Sequence, residues 1–161
     1  NWRLLRSHRS AELPELTSNT LAELARPEAR YAIGMGYLAR RLVEDALPHF
    51  QHALELDSRH SPSRLQSSAI HLRLGRAGKA LELARAVTER EPRNASALYV
   101  AGLASARLND ASAAVAYLER AAALDPQNER VRRALTRAQL AELRGTPFGA
   151  EEDFLTGLFA R

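Results

Sequence analysis

Apolar side chains return along this chain at helical spacing. Tyr31, Met35 and Leu38 share one face, as do Leu65, Ala69 and Leu72, and again Tyr99, Leu103 and Ala106. A second set, Ala46, Phe50 and Ala53, follows the first of these and has its counterparts downstream. The pattern breaks near Arg41-Leu42, at Gly75 to Gly78 and at Asn109-Asp110. Asp57-Ser58, Glu91-Pro92 and Asp125-Pro126 mark helix ends, because the residue before a proline is pushed out of the helical region. The pattern predicts successive pairs of antiparallel helices joined by short turns.

These pairs repeat. Ser58, Pro92 and Pro126 lie 34 residues apart, and sliding the chain by that amount aligns 27–60, 61–94 and 95–128 without a gap. One column reads Gly34, Ser68, Gly102; others read Ala46, Ala80, Ala114 and Ala53, Val87, Ala121. Leu47, Leu81, Val115 and Phe50, Ala84, Leu118 lie between them. Small residues recur where two helices cross closely, and larger ones where the gap is wider. Replacement of Ala114 by leucine is therefore expected to overpack a crossing.

A 34-residue helix-turn-helix with these columns resembles the tetratricopeptide repeat. The third segment matches best, with Gly102, Ala114, Ala121 and Pro126 at the motif places. The first has Gly34, Tyr37, Ala46, Phe50 and Ala53, but Ser58 where proline is usual. The second departs most, through Arg64, Ser68 and His71. The resemblance implies an all-α, right-handed α-solenoid, the tetratricopeptide superhelix, with flanking N-terminal and C-terminal capping helices.

The flanks read as helical too. An N-terminal flank at 1–26 contains a Thr20-x-x-Glu23 capping box. Residues 129–144 read as a capping helix with Val131, Leu135 and Ala138 inward and Arg130, Arg133 and Arg137 outward. Residues 145–161 read as a turn and a short amphipathic helix on which Phe148, Phe154, Leu155, Leu158 and Phe159 make an apolar face. That helix is expected either to cover the end of its own solenoid or to insert into a second copy as a homodimer contact. The whole is expected to be a single domain. The opening NWRLLRSHRS has neither an initiator Met nor a secretory h-region, so a fragment of a longer protein is expected.

Composition narrows the chemistry. The 161 residues are 45% hydrophobic and 26% charged, ordinary for a globular chain, and no apolar run reaches the ~18 residues of a membrane span. Cysteine is absent, which removes disulfides, thiol nucleophiles and Cys-ligated zinc. It does not choose between a bacterial cytoplasm and periplasm. The net charge of +4 is nearly all arginine, Lys79 being the only lysine, which points to a GC-rich bacterial genome rather than to nucleic acid.

No catalytic constellation is visible. His49, His52 and His60 have no carboxylate-rich partner motif and read as surface histidines, so neither metal nor cofactor is expected. His71 lies at a helix crossing and reads as a packed polar residue. Gly75 and Gly78 follow no strand and precede no GK[ST], which excludes a phosphate loop. Arg130, Arg133, Arg137 and Arg144 share one side of a helix, but no aromatic residue interleaves with them, so nucleic acid is not the expected partner.

The resemblance implies a non-enzymatic scaffold that takes a protein or peptide segment along the first helix of each repeat. Carried onto this chain, the peptide-binding groove comprises Tyr31, Met35, Leu38, Leu65, Ala69, Leu72, Arg73, Tyr99, Leu103 and Arg107. Leu65 and Leu72 equally suit packing against a neighbouring repeat. Relatives that grip a terminal carboxylate use Lys and Asn in these columns. Here Tyr31, Met35, Gln66, Ser96 and Val100 stand there, so an apolar or amphipathic segment is expected. The alternative is an accessory module of a larger enzyme whose catalytic domain lies outside this chain.

Overall fold

Residues 25–144 are described by the computed structural model, and they form seven helices and no strand. In chain order these are α1 (Pro27–Ala39), α2 (Val43–Leu56), α3 (Ser61–Arg73), α4 (Ala77–Arg90), α5 (Ala95–Arg107), α6 (Ala111–Leu124) and α7 (Glu129–Arg144). The capping box at Thr20 and the amphipathic segment after Arg144 lie outside the described residues. The first helices start at Pro27, Ser61 and Ala95, so the helices keep the period of 34 seen along the chain. The architecture is an all-α helical-repeat solenoid.

The chain divides into two compact units between Ser63 and Arg64, inside α3. In the first unit α1 packs along α2. In the second, α4 packs on α5, α5 on α6 and α6 on α7, and α5 also touches α7.

Turns of one design join the helices of each pair. Arg41, Gly75 and Asn109 all have positive φ, at 63°, 73° and 61°. Their amides donate to the carbonyls of Leu38, Leu72 and Ala106, while those of Leu42, Arg76 and Asp110 reach back to Tyr37, His71 and Ser105. This is the Schellman ending, which satisfies the last carbonyls of a helix by a left-handed residue just past its end.

The next ends are also shared. Asp57, Glu91 and Asp125 leave the helical region at φ −140°, −124° and −138° and donate their amides to Ala53, Val87 and Ala121. Asp57 does so with serine following it, so the break belongs to the repeat and proline only reinforces it.

Side chains cap the starts of α3, α5 and α7, whereas α1 begins at Pro27 with no side-chain cap. Asn94 Oδ1 accepts the Ala97 amide at 3.0 Å, and Asn128 Oδ1 accepts that of Val131 at 3.4 Å. In the same column His60 takes the role with its ring, Nδ1 accepting from the Ser63 amide at 3.3 Å and meeting Ser63 Oγ at 2.8 Å.

The core is built on the second helices. Ala46, Phe50, Ala53, Ala80, Ala84, Val87, Ala114, Leu118 and Ala121 are all fully buried. Two columns complement each other across the first-to-second helix contact. A Cβ on Gly34 would lie 2.7 Å from the Phe50 ring, and one on Gly102 would lie 2.6 Å from Leu118 Cγ. The middle repeat holds Ser68 and Ala84 in these two columns instead, and the Ser68 hydroxyl donates to the Ala80 carbonyl at 2.6 Å. A large side chain faces glycine twice, and in the middle repeat both columns hold small residues.

Candidate functional site

The first helices carry the candidate surface, and each unit presents its own part. In the first unit Tyr31 is half-buried, its ring 5.6 Å from Phe50 and 5.5 Å, edge-on, from His60. Met35 is 37% exposed, one helical turn along, whereas Leu38 is buried.

In the second unit Leu65 is half-buried and Arg73 and Arg107 are exposed. Ala69, Leu72, Tyr99 and Leu103 are buried among the core side chains. The reason is visible in α5, which is buried without interruption from Ala97 to Ala106 and has no polar face. Apolar side chains in these columns therefore serve packing, and the exposed part of the surface in this unit is more cationic than the sequence pattern suggests. Burial raises the Tyr99 phenol above its usual range, and the nearby Arg130 guanidinium opposes that rise.

Basic side chains continue along α7. Arg130, Arg132, Arg133, Arg137 and Arg144 are exposed, while Val131, Ala134, Ala138 and Ala141 are buried. Leu135 is partly buried against the core, and Leu140 is 43% exposed. Arg133 donates to Glu129 at 3.0 Å, but both side chains are largely exposed, so the pair contributes at most about 1 kcal/mol.

The histidines are less exposed than their columns suggest. His49 stacks on Tyr37 with centroids 5.0 Å apart, and His52 and His60 are half-buried. Among the described residues no group of three or more His, Cys, Asp or Glu side chains converges as a metal site would. Among the described residues, too, no helix is long and apolar enough to cross a membrane.

His71 is buried, and its Nδ1, like Ser67 Oγ and Ser105 Oγ, has no hydrogen-bond partner. Burial, helped by the charges of Arg76 and Lys79 and opposed by Glu82, pushes its pKa below the usual 6.5. The unfolded chain then binds the proton more tightly than the folded one. This contribution to stability is complete above pH 6.5 and is lost as pH falls through the depressed value. Urea midpoints taken from about pH 7.5 to about pH 5 are expected to fall in the wild type and to fall less in His71→Leu.

Similarity to known proteins agrees with this geometry. The tetratricopeptide-repeat family model matches residues 69–129. The 41-to-end part of MamA from Desulfovibrio magneticus RS-1 superposes with a TM-score of 0.69 at 21% identity, covering 87% of this chain and 84% of that one. The first tetratricopeptide domain of Spaghetti (RPAP3), bound to the HSP90 peptide SRMEEVD, gives 0.70 at 16% identity, with 73% and 94% covered. YrrB, described as having an unusual peptide-binding site, gives 0.64 at 27% identity, with 69% and 57% covered. No curated protein matches the chain. From the helix columns, the shared turns and these likenesses together, residues 69–129 match the tetratricopeptide-repeat family and the chain shares the helical-repeat fold of these structures.

Proposed function

We propose that this protein is a non-enzymatic interaction scaffold whose first-helix faces take an apolar or amphipathic peptide segment from a partner protein. The observation that carries the reading is Met35, an exposed large apolar side chain beside half-buried Tyr31 on α1. In the second unit the same columns offer half-buried Leu65 with exposed Arg73 and Arg107. Two similar structures support it, one holding a peptide and one described by its peptide-binding site. The proposal takes 27–60, 61–94 and 95–128 as the repeats and 129–144 as the capping helix.

Selection of helical peptides from a randomised displayed library on the whole chain tests it. Enriched peptides are expected to carry apolar residues at i, i+3, i+4 and i+7. Met35→Glu is expected to weaken at least some of them about tenfold, roughly 1.4 kcal/mol, with helicity unchanged. A library that yields no enriched peptide sinks the proposal.

A further inference from the structure

Charge in the second unit is sorted by layer. From Arg64 to Arg73 and throughout α5 the first helices carry no acidic residue, and α7 carries five arginines against Glu129 and Glu142. The second helices mix their signs, as in the Lys79–Glu82 pair at 2.9 Å on α4 and the adjacent Glu119 and Arg120 on α6. On α7, Arg130, Arg133, Arg137, Leu140 and Arg144 follow one another at spacings of three and four, so they share one face. α7 touches α5, and the charge of Arg130 at the start of this face acts on the Tyr99 phenol. Arg107 ends α5 one repeat before Ala141, which sets it by register at the level of the last turn of α7.

We infer that this face binds an internal acidic, amphipathic polypeptide segment, its carboxylates meeting Arg107, Arg130, Arg133 and Arg144 and an apolar side chain meeting Leu140. The inference rests on the peptide-binding reading above and names the chemistry of the partner. Guanidinium forks match carboxylates in a bidentate fashion, and exposed Leu140 gives the arginine row an apolar centre. Glu129 already meets Arg133 at 3.0 Å, as an incoming carboxylate would. Single-stranded nucleic acid is the weaker fit, because base stacking needs exposed aromatic rings. Tyr99 is buried, and the Tyr117 hydroxyl accepts from Arg85 on the second-helix layer.

The test uses the whole chain and labelled helical peptides of roughly 20 residues with leucine at i, i+3, i+4 and i+7. One carries glutamate at the remaining positions, one glutamine, and an oligothymidylate is run beside them. Fluorescence anisotropy is expected to show the glutamate peptide binding about tenfold or more tightly than the glutamine peptide, with the gap closing as salt rises. Arg130→Glu combined with Arg133→Glu and Arg144→Glu is expected to abolish the gap with circular dichroism unchanged. If that variant loses helicity, the corresponding Arg→Gln variant is expected to shrink the gap. Equal binding of the two peptides overturns the acidic inference and leaves peptide binding standing. No binding of either overturns both. Tighter binding of the oligothymidylate than of the glutamate peptide overturns it in favour of nucleic acid.

Discussion

Gly102→Ser is expected to destabilise the second unit by about 2 kcal/mol, and adding Leu118→Ala to cost less than the two changes separately. The first change pushes a Cβ to within 2.6 Å of Leu118 Cγ and 3.3 Å of the Ala114 carbonyl oxygen. Leu118 is fully buried, so its truncation alone costs about 3–4 kcal/mol. Together the two changes rebuild the residue pair of the preceding repeat, in which these columns hold Ser68 and Ala84 and Ser68 donates to the Ala80 carbonyl. A hydroxyl introduced at 102 finds the Ala114 carbonyl in the matching place. The coupling energy, read from urea unfolding of the four chains, is expected to exceed about 1 kcal/mol. Additive effects would show that the two columns do not compensate each other.

Pro48→Ala is expected to act in the opposite direction. Pro48 lies inside α2 and is exposed, so its ring supports no core packing, and it leaves the fourth carbonyl behind it without an intrahelical amide. Proline costs a helix interior about 3 kcal/mol relative to alanine, and part of that is returned by the restricted unfolded chain. A net gain of about 2 kcal/mol is expected for the first unit, seen as a higher urea midpoint. An unchanged or lower midpoint would mean that the proline has relaxed its helix without loss.

The second helices were legible because their columns encode size. Alanine at 46, 80 and 114 and the alternation of Phe50, Ala84 and Leu118 are bulk recorded at fixed intervals, and burial follows bulk. The breaks after Leu56, Arg90 and Leu124 were legible for a different reason, since the residues there disfavour helix. What each column faces was not legible. That the Ser68 hydroxyl reaches the Ala80 carbonyl appears only once the two helices are laid together.

The candidate surface was harder to read. Apolar periodicity shows which positions avoid water, and it does not say whether a neighbouring helix or a ligand shields them. In α5 the difficulty is complete, because no polar stripe marks an outer face and Tyr99 and Leu103 are buried with the rest. The cap at His60 was hidden by residue type, imidazole being an unusual substitute for the Asn94 and Asn128 that hold its place in later repeats. The histidines at 49 and 60 turned out to rest on Tyr37 and Tyr31, a contact set by ring positions rather than by spacing.

The unbroken burial of α5 has a consequence in time as well as in space. An amide exchanges its hydrogen with solvent only when its helix opens, and a helix covered on every side opens only with the unit around it. In deuterated solvent the amides from Ala101 to Ala106 are thus expected to be the slowest of the second unit to exchange. Those of α1, where Ala32, Met35, Gly36 and Ala39 face water, are expected to label early. Pulse labelling followed by mass spectrometry would then see the second unit as a slow centre at α5, with protection falling toward the exposed outer face of α7.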